Sequence, residues 1–141
     1  MINIEFENID EIELPQNAEL WLKNAIEIEG FKVGEINYIL CDDAYLLKIN
    51  QDFLQHDYYT DIITFNYVKG KTISGDIFVS LPRIFENAKI WNTHNEEEIL
   101  RVLVHGILHL CGFNDKTLGE EQQMRLKENE HLAIYKSNFL Y

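Results

Sequence analysis

Residues 95–116 read Asn-Glu-Glu-Glu-Ile-Leu-Arg-Val-Leu-Val-His-Gly-Ile-Leu-His-Leu-Cys-Gly-Phe-Asn-Asp-Lys, and this stretch sets the architecture of the chain. From Ile99 to Cys111 the run is almost continuously apolar, which predicts a helix over about Glu96–Cys111 buried at the centre of a domain. Thr93 with Glu96 fits a capping box at its start, and Glu96, Glu97 and Glu98 suit the positive end of its dipole. Gly112 is placed to stop it.

The neighbours of that helix follow from shorter-range patterns. Ile62–Val68 and Thr72–Ser80 read as strands, and the Lys69-Gly70-Lys71 gap between them predicts antiparallel neighbours. Pro82 suits the first turn of a helix reaching about Trp91. Ile2, Ile4 and Phe6 alternate with polar residues as in a half-buried strand. Pro15 opens a helix in which Leu20, Trp21, Ala25 and Ile28 recur at helical spacing, and Gly30 ends it. Residues 36–41 read as another strand. Asp42 or Asp43 caps a short helix through about Asp52, with Leu46, Leu47 and Ile49 as its buried side. Residues 54–61 read as a loop, and a last helix covers roughly Leu118 to Lys136. The sum is an α+β fold: a single domain over residues 1–141, with a mixed sheet of about four strands packed with about five helices.

Composition narrows the function. A chain of 141 residues with 46% apolar content has room for one core. Twelve Lys and Arg against 24 Asp and Glu leave a formal charge of −12. That argues against a generic nucleic-acid coat and against a polybasic membrane anchor. Residues 1–30 hold eight acids and one base, a net of −7, so the remaining 111 residues carry only −5. No apolar run approaches the roughly 20 residues of a membrane span, and the start lacks the basic residues of a signal peptide. Two cysteines, Cys41 and Cys111, make no disulfide framework, so a cytoplasmic protein without membrane contact is expected.

His105 and His109 stand four apart on the central helix. At about 100° per residue they project from one face, one turn apart, where two imidazoles can bind one divalent cation. Gly112 lets the chain leave the helix sharply, and Asp115 can return over the same cation. H-x3-H-x2-G-x2-D is therefore a helix-turn device for three ligands at the C-terminal end of the helix. Three protein ligands leave a position open for water, as in catalytic zinc sites. Zinc suits two His and one Asp, although nickel, iron or manganese would be tolerated. Cys111 lies about 200° around the helix from His109 and reads as a buried, inert thiol. His56, His94 and His131 have no partner pattern and read as surface or capping residues. The spacing is also that of metzincin proteases, but Gly106 stands where those enzymes carry their general-base Glu, which disfavours peptide hydrolysis.

At these residues the chain resembles the YbeY endoribonuclease family, whose signature H-G-x-L-H-L-x-G-x-D-H is matched at His105, Gly106, Leu108, His109, Leu110 and Gly112. Thr60-Asp61-Ile62-Ile63-Thr64-Phe65 is similar to the family's T-[DN]-V-L-S-F strand, and Gly75-Asp76-Ile77-Phe78-Val79-Ser80 to its G-D-I-x-I-S strand. Ile49-Asn50 through Phe53 matches its L-N-x-x-[YF] segment. The resemblance spans about residues 35–135. It implies a zinc-dependent hydrolase cutting single-stranded RNA in ribosomal RNA maturation and ribosome quality control, with ribosomal RNA and the small ribosomal subunit as partners and no action on DNA.

Three positions depart from the family pattern. Asp115 replaces the usual third His, which leaves the ion's site at a net charge of about +1 and weakens its pull on water. Asn114 replaces an Asp. Leu54 replaces an arginine that in the family serves activity, and Lys116 or Arg83 is the candidate substitute. Asp61 and Asp76, in the matched strands, are the candidate general bases, and Tyr58 and Tyr59 are candidates for stacking on unpaired bases. The cations expected near the cleft are Lys116, Arg83, Lys69 and Lys71. Two rival readings remain: a ribosome-associated assembly factor with a structural or weakly catalytic metal, and a metalloprotease.

Overall fold

The structure, a computed structural model, describes residues 1–56 and 60–140. The chain runs β1 (Ile2–Glu7), α1 (Ala18–Ile28), β2 (Lys32–Cys41), α2 (Asp43–Leu54), β3 (Ile62–Asn66), β4 (Thr72–Ser80), α3 (Leu81–Ile90), α4 (Asn95–Leu110) and α5 (Leu118–Ile134), and closes in a π-helical turn at Tyr135–Phe139. The four strands lie in the order β1-β2-β4-β3. β1, β2 and β4 are parallel, and β3 runs antiparallel to β4 with Ile62 opposite Val79 and Thr64 opposite Ile77. This is the expected α+β sheet, with the hairpin-like pair at one edge. Among the described residues no helix is long and apolar enough to cross a membrane.

Strand alternation divides the sheet into two faces. Ile36, Tyr38 and Leu40 of β2, with Ile73, Ile77 and Val79 of β4, enter the main core beneath α1 and α4. The other face holds a smaller cluster of Cys41, Leu46 and Ile63, against which Tyr45, Phe65 and Phe78 pack. The central helix is buried as its composition requires: ten residues of α4 from Glu98 to Leu110 are buried. Tyr38, fully buried, donates its hydroxyl hydrogen to the carbonyl of Leu103 at 2.5 Å and ties β2 to α4.

α4 reaches the sheet at Gly106. A Cβ at this position would stand 3.0 Å from both Cδ1 and Cγ2 of Ile77. Ala would gain about 1 kcal/mol of helix propensity against that crowding, but a branched side chain has nowhere to go. Gly106→Val is expected to destabilise by about 1–3 kcal/mol, read as a lower urea midpoint. An unchanged midpoint would show that the helix can ride farther from the sheet. A protease-type Glu at 106 would likewise be driven into the strand rather than the cleft.

Several local expectations are corrected. α1 buries Ala18, Trp21, Leu22, Ala25 and Ile26, and leaves Leu20 and Ile28 exposed, because positions 18, 21, 22, 25 and 26 form the continuous 3.6-residue stripe. α2 buries Leu46 and Asn50, with Leu47 and Ile49 half-covered. At the start of α4 the extended N-cap is His94, without a side-chain cap, and Thr93 instead donates to Glu98 Oε1 at 3.0 Å, a buried carboxylate in need of a donor. The capping box belongs to α5, where Thr117 and Glu120 satisfy each other's backbone N–H. His131 is wholly buried, 2.8 Å from Glu29 Oε2, because α5 packs that side chain against the end of α1.

Candidate metal centre

His105 and His109 occupy the last turns of α4 and face the same side. The helix then ends in a Schellman motif: Gly112, at φ +101°, donates to the His109 carbonyl, and Phe113 donates to the Leu108 carbonyl, each at 3.0 Å. The positive φ favours glycine here, and it swings the chain back so that Asp115 overhangs the two imidazoles.

His105 Nε2 and His109 Nε2 lie 2.9 Å apart, and Asp115 Oδ2 lies 3.3 and 3.4 Å from them. In a tetrahedral site with bonds of about 2.0–2.1 Å the ligand atoms stand about 3.3 Å apart, so the three atoms fit three corners around one ion. Their partners assign the tautomers. His105 Nδ1 is 2.6 Å from Glu128 Oε2 and His109 Nδ1 is 3.0 Å from the Phe113 carbonyl oxygen. Both partners are acceptors, so each Nδ1 carries a proton and donates it, and both Nε2 lone pairs point at Asp115. Only a cation or a shared proton can lie between three such acceptors.

The electrostatics agree with that reading. Burial opposes the imidazolium at His105, but the Glu128 carboxylate, helped by Asp115 and Asp61, outweighs it and raises the pKa. Burial and then the neighbouring His105 lower the pKa of His109, since two adjacent imidazoles do not both take a second proton. Glu128 is buried, which would raise its carboxyl, yet His105, Arg101 and Arg125 hold it below the usual range. Arg101 Nη1 is 2.9 Å and Arg125 Nη1 3.5 Å from Glu128 Oε1.

Three cavities meet at His105, and two of them also take in Asp61. One is lined by Thr60, Asp61, Thr64 and Asn66 together with all three candidate ligands. The other extends toward Asn87, Trp91, Thr93, Arg101 and Arg125, and Asp61 borders both. Asp61 is thus brought to the His pair. Asp76 is not: it alternates with Gly75 and Ile77, projects from the other face of the sheet, accepts from Asn37 Nδ2 at 2.9 Å, and lines an apolar hollow with Phe65 and Phe78. Lys116 is exposed beside Asp115. Leu54 ends α2 and lines none of the cavities that contain His105.

Of the expected cations, Arg83 and Lys71 are engaged elsewhere. Arg83 pairs with Asp43 at 3.2 Å, and Lys71 lies over the Phe31 ring. The bases in the cleft are Arg101 and Arg125, which no local pattern singles out. With Asp61, Glu98, Glu128 and Asp115 also lining it, the cleft is net acidic on its own, and a divalent ion would bring it to neutrality. Tyr58 and Tyr59 lie outside the described residues. The Cys111 thiol, pushed up to about 12 by burial and then by Glu29, is not among the clustered ligands.

Comparison with known proteins gives a coherent family. A family model described as "Endoribonuclease YbeY" matches residues 2–136. A protein named "Endoribonuclease YbeY" from Flavobacterium johnsoniae is 50% identical over 135 residues, covering 96% of this chain and 97% of that protein. One of the same name from Christiangramia forsetii is 48% identical over 134 residues, covering 95% and 94%. A solution structure of a Thermotoga maritima protein superposes with a TM-score of 0.69 at 31% identity, covering 98% of this chain and 93% of that one. The protein belongs to the YbeY endoribonuclease family.

Proposed function

We propose that this chain, working as one domain over residues 1–141, is a zinc-dependent endoribonuclease that hydrolyses phosphodiester bonds in single-stranded RNA. Its place is the cytoplasm, in ribosomal RNA maturation and quality control on the small ribosomal subunit. The observation that carries the reading is the convergence of His105 Nε2, His109 Nε2 and Asp115 Oδ2 on one solvent-facing point. Family membership supplies the substrate class.

His105 and His109 would hold the ion through Nε2, their tautomers locked by Glu128 and the Phe113 carbonyl, and Asp115 would be the third ligand. When bound, the ion supplies Lewis acidity toward a phosphate oxygen and toward water. Asp61, at the border of both cavities, takes the proton from the attacking water at its carboxylate. Asp76 is too far around the sheet for that task. Lys116, exposed beside Asp115, adds positive charge at the mouth of the cleft.

The test is turnover of a single-stranded RNA by nuclease-free protein. His105→Ala is expected to abolish cleavage, and Asp61→Asn to slow it by about 10²–10⁴-fold while leaving bound metal unchanged. Undiminished turnover in Asp61→Asn would move the general base elsewhere. Equal cleavage by the wild type and His105→Ala would trace the activity to a contaminant. That result would favour the second reading, a ribosome-associated assembly factor, which Leu54 in place of the family's arginine supports.

A further inference from the structure

The cavity on the far side of His105 from His109 has an unusual wall for a hydrolytic cleft. Trp91, the residue that caps α3, is 69% exposed at its rim, while the chain's other tryptophan, Trp21, is fully buried in the core. Across the lining stand two guanidinium groups, Arg101 and Arg125, that share Glu128 Oε1 at 2.9 and 3.5 Å. Glu128 spends its other oxygen on His105, so one carboxylate is shared among three cationic or proton-donating groups. Arg101 is 18% exposed and clamped between Glu128 and Asn129. Arg125 is 60% exposed and meets Glu128 through one nitrogen at 3.5 Å, which leaves most of its five donors toward solvent. Asp61 and Glu98 are the other acids of the lining, and Glu98 is buried and satisfied by Thr93. The guanidinium with donors left for a ligand is therefore that of Arg125. The volume, about 420 Å³, is within the range of small-ligand sites.

We infer that this cavity is a nucleotide subsite beside the metal centre, in which Trp91 stacks one unpaired base and Arg125, backed by Arg101, holds the adjoining phosphate. The inference rests on the ribonuclease reading and deepens it, because a base can lie on the indole only after leaving a duplex stack. Selectivity for single strands then has a structural source within a side chain's reach of the ligands. An exposed indole gives stacking without sequence readout, since every base has a π-face, and an arginine fork matches phosphate geometry. Arg101 acts as a positioning residue: it holds Glu128, and through it both His105 and Arg125 in one network.

The two tryptophans make the test direct, since a ligand in this cavity can quench only Trp91. A short 2′-O-methyl oligoribonucleotide, titrated into the zinc-loaded full chain, is expected to quench the exposed-tryptophan emission, and a blunt duplex of the same sequence is not. Trp91→Ala should weaken binding of the single strand by about tenfold. In cleavage assays its effect should fall on KM rather than kcat, and Trp91→Phe should restore most of the affinity. Arg125→Ala should weaken binding and flatten its salt dependence. Absence of quenching in a preparation that still cuts single-stranded RNA would overturn the subsite while leaving the ribonuclease reading intact. Quenching with no turnover would uphold the subsite as a binding site and overturn the ribonuclease reading. Equal quenching by single strand and duplex would overturn the stacking role.

Discussion

His109→Ala is expected to strip the protein of its metal and its RNA-cleaving activity together. Structural zinc sites with four ligands bind by about 10–16 kcal/mol, so one ligand carries about 2.5–4 kcal/mol, an affinity loss of about 10²–10³-fold. His109 is the ligand for which this effect should be cleanest. Burial and the adjacent His105 lower its pKa, so at neutral pH it offers a lone pair with no proton to displace. Its Nδ1 donates only to the Phe113 carbonyl, which its own helix terminus holds in place, so removing the ring disturbs little else. The measurement is elemental analysis of the purified variant beside a turnover assay. One equivalent of zinc retained in His109→Ala would sink the ligand assignment.

The second large effect is expected at Glu128, which touches no ion. Its carboxylate orients His105 and neutralises Arg101, with only 6% of its side chain exposed. Glu128→Ala leaves a partly buried guanidinium and an imidazole without their carboxylate, and should lower stability by about 3 kcal/mol. Glu128→Gln preserves shape and removes the charge, and metal affinity near neutral pH should fall by about 10–100-fold.

The pH dependence carries an opposite sign that separates this role from simple loss of structure. Glu128 raises the His105 pKa, so in the wild type the proton competes with the ion at higher pH than for an ordinary histidine. Removing the charge lowers that pKa, and the acid limb of metal binding should move to lower pH even as the plateau affinity drops. In the metal-free wild type, the stability that the protonated His105 draws from Glu128 is full below the ordinary histidine pKa and is lost as pH rises through the raised one. Glu128, held below the usual carboxyl range, contributes above that range and loses its contribution as pH falls through its lowered value. Calorimetric unfolding across pH 3–9 would expose both limbs. A Glu128→Gln protein with wild-type metal affinity and an unmoved acid limb would remove Glu128 from the centre.

Sequence and structure agree most closely where the deciding contacts are local. The His105–His109 pair, the Gly112 stop and the return of Asp115 all lie within eleven residues, and helix periodicity with one left-handed glycine places them without help from the rest of the fold. Strand alternation placed β1 and the β3–β4 pair on similar grounds. The amphipathic stripes were harder: Leu20 and Ile28 match a helical period, yet Ala18, Leu22 and Ile26 enter the core instead. A period does not say which of two overlapping stripes meets the core.

What no local pattern carried is the company the ligands keep. Glu128 sits in a polar run, Arg125-Leu126-Lys127-Glu128-Asn129-Glu130, that reads as a solvated helix face, and 23 residues separate it from His105. His131 is in the same position with respect to Glu29, 102 residues away. The choice between Asp61 and Asp76 depended on which sheet face α4 covers, and Trp91 joined the cleft only because α3 ends beside α4. By itself the sequence determined the three converging side chains and the turn that joins them, because those depend on backbone geometry over one helix end. The tertiary structure decided the carboxylate behind the first histidine, the arginines behind that carboxylate, and the base and indole that face the site. Those pairings exist only once the order β1-β2-β4-β3 and the packing of α3 and α5 against α4 bring distant polar side chains out of water together.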